Sequence, residues 1–185
     1  KETDNDLEVV TWQGNSATSS YPYGLCGGLE KTLLADGTVI GVSATASVTS
    51  ANVIGEMTKV YNAIPTAVLD SGNVVIFVAT NVFKAYQLAQ ASSGAGQGFN
   101  WAGEQVANFL GLPIIHAPGM SSNKMVAASK ENVLLLTDLL SDFDSDSSIR
   151  IIPQMDKSGA PTVRIVARFK FKTDYLIGAE VVYYN

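Results

Sequence analysis

The stretch from Thr49 to Ala91 changes its hydrophobic period twice, which places the chain among folds that layer helices on a sheet. Val53, Met57, Val60, Tyr61 and Ile64 fall at the 3.6-residue period and form one apolar stripe. Thr49 or Ser50 precedes the stripe as a cap whose side-chain oxygen satisfies a first-turn amide. Pro65 ends it, having no amide to donate and a ring that clashes with the preceding turn. Asp70-Ser71-Gly72-Asn73 predicts a turn, and Val74 to Val78 is an unbroken β-rich run, the pattern of a buried central strand. Thr80 then caps a second helix from Asn81 to about Ala91, with Val82, Tyr86 and Ala89 inward.

The flanking segments read as follows. Leu7 to Trp12 predicts a short strand, followed by a Gly/Ser/Thr-rich loop from Gly14 to Ser20. Leu25, Leu29 and Leu33 share a helical face that runs to about Asp36. Gly27 and Gly28 each weaken such a helix by about 1 kcal/mol relative to alanine, so they are expected to permit close packing. Asp36-Gly37 turns the chain into a strand, Thr38 to Val42. Ser92 to Asn100 is a glycine-rich linker or exposed loop, and Gly103 to Leu110 reads as helical. Leu112 to His116 and Lys124 to Ala128 read as strands, whereas Asn132 to Leu140 is strand by bulk and helix by leucine preference.

Towards the end, Ile149 to Ile152 precedes a turn at Asp156-Lys157-Ser158-Gly159. Alternation then becomes strict: Val163, Ile165, Ala167, Phe169 and Phe171 face one side, and Arg164, Val166, Arg168, Lys170 and Lys172 the other. With the β-rich run Leu176 to Tyr184, this predicts an α+β fold: a mixed sheet flanked by helices and a C-terminal long strand pair, rather than a doubly wound sheet.

A chain of 185 residues buries roughly 70% of the surface its unfolded form exposes, so it can hold a core without staples. A net charge of -5 argues against a general nucleic-acid binder, because counterion release needs a concentrated basic surface. Cys26 is the sole cysteine, which excludes an internal disulfide and a thiolate zinc cluster. No apolar run approaches the roughly 18 residues that span a bilayer. The polar, acidic Lys1 to Asp6 lacks an initiator methionine and is expected to be a disordered edge left by processing or cloning, with upstream sequence missing.

Four features invite chemical readings. His116 is the only histidine, and on a strand before Ala117-Pro118-Gly119 it is expected to be partly buried and hydrogen-bonded. Cys26, near a predicted helix start, could act as a nucleophile with His116 as base, but Gly24-Leu25-Cys26-Gly27-Gly28 matches no cysteine-protease signature. Asp142, Asp144 and Asp146 open like a calcium loop, yet Ser147 and Pro153 occupy the positions of its required glycine and glutamate. Gly94, Gly96 and Gly98 follow a predicted helix and lack the lysine of a phosphate loop. No catalytic residue, cofactor site or metal site is assigned. The basic face of Arg164, Arg168, Lys170 and Lys172 has no interleaved aromatic residue, so it favours contact with an acidic protein neighbour over base stacking.

Several segments, taken in order, resemble the Hong Kong 97-type fold of tailed-phage major capsid proteins. These are Val10-Thr11-Trp12-Gln13-Gly14-Asn15 before Gly28-Leu29, Ser50-Ala51-Asn52-Val53-Ile54, and Tyr61-Asn62-Ala63-Ile64-Pro65. Val74 to Val78 followed by Asn81-Val82-Phe83-Lys84-Ala85-Tyr86 is similar to the family's strand and following helix. Gly111-Leu112-Pro113-Ile114-Ile115 resembles its Gly-Leu-Pro-Val-Val strand, and Leu136-Thr137-Asp138-Leu139 and Val163 to Tyr184, through Arg168-Phe169-Lys170, resemble its closing strands. The resemblance implies an axial-type domain over residues 7–162 and strands returning to a peripheral-type domain over 163–185. It implies a non-enzymatic subunit of an icosahedral shell, built from pentamers and hexamers and present in the virion after assembly in the host cytoplasm. Its partners would be copies of itself, a scaffold or maturation protease, and packaged DNA held non-specifically, with no membrane. The candidate subunit contacts are Gly94, Gly96, Gly98, Phe99 and Trp101 in the glycine-rich loop, and Arg164, Arg168, Lys170 and Lys172. The competing readings are a hydrolase using Cys26 and His116 and a surface or adhesion module.

Overall fold

In a computed structural model describing residues 2–15, 17, 24, 26–92, 107–137, 149–155, 161–167 and 171–185, the alternating periods resolve into helices packed on a mixed sheet. The described elements are α1 (Glu2–Gln13), α2 (Leu29–Ala35), β1 (Ile40–Val42), α3 (Val53–Ala63), α4 (Thr66–Asp70), β2 (Val74–Val78), α5 (Thr80–Ser92), β3 (Asn108–Phe109), β4 (Leu112–His116) and β5 (Met125–Ser129). They continue with β6 (Val133–Thr137), β7 (Ile149–Met155), β8 (Pro161–Ala167), β9 (Phe171–Tyr175), a 3-10 turn (Gly178–Glu180) and β10 (Val182–Tyr184). The chain forms two compact units, residues 1–134 with 173–185, and residues 135–172.

The first unit holds a six-stranded sheet in the order β1-β10-β5-β2-β4-β3. The apolar run Val74 to Val78 sits inside it because both its faces need cover: β2 pairs parallel with β4 and antiparallel with β5, placing Ile76 between Ile114 and Ala127. The α3 stripe is buried as its period requires, with Val53, Met57 and Val60 fully enclosed. Its cap differs from expectation. Asn52 is the first flanking residue, and its Oδ1 accepts from the amide and hydroxyl of Thr49 (2.7 and 3.2 Å), so it folds back instead of capping forward. The helix still ends before Pro65. In α5, Val82, Tyr86 and Ala89 point inward as expected.

Leu7 to Trp12 forms part of helix α1, not a strand, and the helix begins at Glu2, inside the stretch expected to be disordered. The β-branched Val9, Val10 and Thr11 favour extended backbone. Packing overrides that preference: Val10 is fully buried, Thr11 Oγ1 donates back to the Glu8 carbonyl (2.7 Å), and Gly14 N closes onto the Val10 carbonyl (3.0 Å). A Cβ at Gly14 would lie 2.5 Å from the carbonyl oxygens of Val10 and Cys26, and one at Gly28 or Gly119 would press into the α1 backbone or its end. Gly28 therefore permits the expected close approach, whereas Gly27 has open space around it. The helix α2 starts at Leu29 and buries Leu29 and Leu33; Leu25, expected on the same face, is outside the described residues.

Residues 107–110 are not helical. Asn108–Phe109 pairs with Leu112–Pro113, and Leu110 and Gly111 turn the chain with φ of 47° and 86°. The apolar segment after Asn132 resolves as strand β6, which pairs with β9. The second unit contains the hairpin of β7 and β8, in register from Ile149↔Ala167 to Met155↔Pro161. The long strand pair therefore joins 149–155 to 161–167; the last run instead ends in β10, parallel to β1 and antiparallel to β5 in the main sheet. Tyr183 and Tyr184 alternate across that sheet and are both buried, which an exposed terminal hairpin would not allow.

Candidate functional site

Cys26 and His116 are engaged with different partners. The Cys26 thiol lies 3.9 Å from the Val10 carbonyl, and burial pushes its pKa up, away from a reactive thiolate. His116 Nε2 is 3.0 Å from Thr80 Oγ1, and the ring stacks on Phe83 at 5.1 Å. The expected hydrogen bond is present, but His116 is exposed rather than partly buried. No hydrogen bond joins the two side chains among the described residues. Those residues also contain no group of three or more His, Cys, Asp or Glu side chains placed to hold a metal ion. No helix among them is long and apolar enough to cross a membrane.

Buried polar side chains, and the half-buried Asp36, act as ties between elements. Glu30 on α2 accepts from the Ser121 amide (2.7 Å) and hydroxyl (2.6 Å), linking that helix to the loop before β5. Desolvation pushes the Glu30 carboxyl above its ordinary range, against the lowering effect of the Ser121 bonds. Glu56 on α3 accepts from Lys59 Nζ (2.8 Å) and the Tyr184 hydroxyl (2.9 Å), and the Lys59 bond holds its pKa below the ordinary value. Asp36 accepts from the Tyr175 hydroxyl (2.7 Å) and from Thr38. Burial, reinforced by Asp36, raises Tyr175 to about 12. Asn132 makes three such bonds: its Oδ1 accepts from the amides of Leu176 (2.9 Å) and Ile177 (2.8 Å), and its Nδ2 donates to the Ile177 carbonyl (2.8 Å).

A groove of about 200 Å³ lies between the C-terminal end of α2 and the edge strand β1, with Leu33, Leu34, Val39, Val42 and Tyr183 along it and Asp36 at its side. Leu34 is 56% exposed. The sequence places a strand here but not the edge of a sheet, and neither Leu34 nor Gly41 carries a signal of its own. Gly94, Gly96, Gly98, Phe99, Trp101, Arg168 and Lys170 lie outside the described residues, as do Asp142, Asp144 and Asp146. Arg164 stands opposite Ile152 in the β7–β8 hairpin, and Lys172 is exposed in β9.

No family model matches this chain, and no curated protein matches it by sequence. Solved structures do match by fold. The whole chain aligns with 63% of a chain in the satellite phage P4 procapsid including the size determination (Sid) protein, at a TM-score of 0.64 and 12% identity. A chain of Mycobacterium phage Che8 matches 80% of this chain over 53% of its own length, at a TM-score of 0.51 and 12% identity. This chain thus spans less than two thirds of the length of either match.

Proposed function

We propose that this chain, which shares the α+β fold of phage capsid proteins, is a structural subunit of an icosahedral phage shell. The observation that carries this reading is the likeness to the P4 procapsid chain over all of its residues, at a TM-score of 0.64. The six-stranded sheet and the helices on it take the axial role expected for residues 7–162, where subunits converge around fivefold and sixfold axes. Residues 163–185 were expected to return towards a peripheral part, but their last strand, β10, lies between β1 and β5 in this same sheet. Ring closure by such subunits uses heterologous contacts, in which different patches of each copy meet.

Copies of the chain are its principal partners in this reading, and the virion is its location. A scaffold, a maturation protease and non-specifically held DNA are further partners of such a shell. The glycine-rich loop with Gly94, Gly96, Gly98, Phe99 and Trp101, and the basic set Arg164, Arg168, Lys170 and Lys172, are proposed as subunit contacts. A nucleophile role for Cys26 has no support in the geometry, since burial raises its pKa and His116 is bonded to Thr80.

Negative-stain electron microscopy of the full-length gene product, co-expressed with its neighbouring genes, tests the proposal. Closed shells, or rings of five or six copies, are expected. Uniform monomers under those conditions would contradict it.

A further inference from the structure

One edge of the six-stranded sheet is open in a way that selects a strand-shaped partner. β1 is outermost and runs parallel to β10, with Ile40 opposite Val182 and Val42 opposite Tyr184. Ile40 N donates to the Val181 carbonyl (3.0 Å), Asn185 N to the Val42 carbonyl (3.0 Å) and Ala44 N to the Asn185 carbonyl (2.8 Å). Residues 40, 42 and 44 thus turn main-chain groups inward, so alternation turns the Gly41 N–H and C=O outward. Gly41 is exposed, and a Cβ built on it would meet no atom within 4 Å. Proteins usually guard a sheet edge with a lysine, a proline or an inward charge. Val39-Ile40-Gly41-Val42-Ser43-Ala44 carries none of these.

The groove beside this edge adds a side-chain preference. Its lining is mixed, with Leu33, Leu34, Val39 and Val42 beside Gly41, Ser43 and Asn185, and its one charged side chain, Asp36, is already bonded to Tyr175 and Thr38. Tyr183, which lines it, is 2% exposed, and its hydroxyl has no hydrogen-bond partner. A volume of about 200 Å³ exceeds that of cavities of about 150 Å³ that accept benzene, so a branched aliphatic side chain fits.

We propose that the β1 edge is a strand-addition site whose occupant is an extended segment of a second copy of this chain, hydrogen-bonded at Gly41 and seating one apolar side chain in the groove. The outward donor and acceptor of Gly41 are complemented by extended polypeptide. With its one carboxylate engaged by Tyr175 and Thr38 and aliphatic side chains from Leu33, Leu34, Val39 and Val42 along it, the groove favours an uncharged side chain over a salt-bridging one. That the polypeptide comes from a second copy rests on the capsid reading, which supplies many copies at high local density. The contact is heterologous and therefore suited to ring closure.

Hydrogen–deuterium exchange of the peptide spanning residues 39–43, compared between assembled particles and dissociated subunits, reads the contact directly. The Gly41 amide is expected to slow by about 100-fold or more on assembly, as pairing in a ladder requires. Gly41→Pro removes the outward amide but none of the β1–β10 bonds, and is expected to lower particle yield at least about tenfold while leaving the subunit folded. Gly41→Ala keeps the amide and is expected to assemble. Equal Gly41 exchange in particles and subunits, or normal assembly of Gly41→Pro, overturns the proposal. If Gly41→Pro misfolds, the exchange measurement on the unmodified protein decides alone. Absence of this chain from any particle overturns the capsid reading and the contact with it.

Discussion

Glu30 and Glu56 are both buried carboxyl groups that respond to protons in opposite senses. The folded pKa of Glu56 is depressed, chiefly by the Lys59 bond, so its contribution is present above its ordinary value of 4.5 and is lost as pH falls through the depressed value. The folded pKa of Glu30 is raised by desolvation, so the chain gains stability as pH falls through that raised value towards 4.5. Urea midpoints of the wild type, Glu30→Gln and Glu56→Gln, measured from about pH 7 to about pH 3, check this. Glu56→Gln should flatten the acid limb, and Glu30→Gln should remove a gain on the approach to pH 4.5. Parallel pH profiles for all three proteins would contradict these assignments. None of this was legible in the sequence, in which nothing singles out Glu30 or Glu56, because their partners Ser121 and Tyr184 lie far along the chain. A lone histidine, by contrast, predicts its own hydrogen bond, but not that Thr80 and Phe83 are its partners.

Elements with a clean period were readable, and those held by tertiary contacts were not. The α3 stripe and the run Val74 to Val78 each bury what the pattern demands. Helix α1 was hidden because its branched residues favour a strand, while the glycines that admit it, Gly28 and Gly119, are distant in sequence. The β3–β4 turn was hidden because it places Leu110 at positive φ, a conformation that side-chain chemistry does not announce. On the approach to β10, the Asn132 side chain adds to the backbone bond from Leu176 N to the Asn132 carbonyl and to the Tyr175–Asp36 bond. Asn132→Ala removes three hydrogen bonds to Leu176 and Ile177 and is expected to lower stability by about 2–4 kcal/mol, read as a shift of the urea midpoint. A change below about 0.5 kcal/mol would show that water replaces the Asn132 side chain at no cost.

For the whole molecule, the α+β class and the mixed sheet followed from the order of periods, but the strand order did not. β10 inserts between β1 and β5, and β2 lies between β5 and β4, so these neighbours, unlike β3 and β4, are far apart in sequence and no local pattern specifies them. The hairpin that unites 149–155 with 161–167 was legible as strands and a turn, yet its pairing was read one strand too late. The resemblance drawn from ordered segments agrees with the fold, which the P4 procapsid chain shares at 12% identity. Such a low identity preserves burial patterns better than side-chain chemistry, so the contact surfaces must be read from this chain's own edges and grooves. The most direct test of the shell-subunit reading is a cryo-electron-microscopy reconstruction of the particles purified with this gene product. The account predicts that the six-stranded sheet and its helices repeat around the fivefold and sixfold axes of the shell. A shell lattice built entirely from another polypeptide would contradict it.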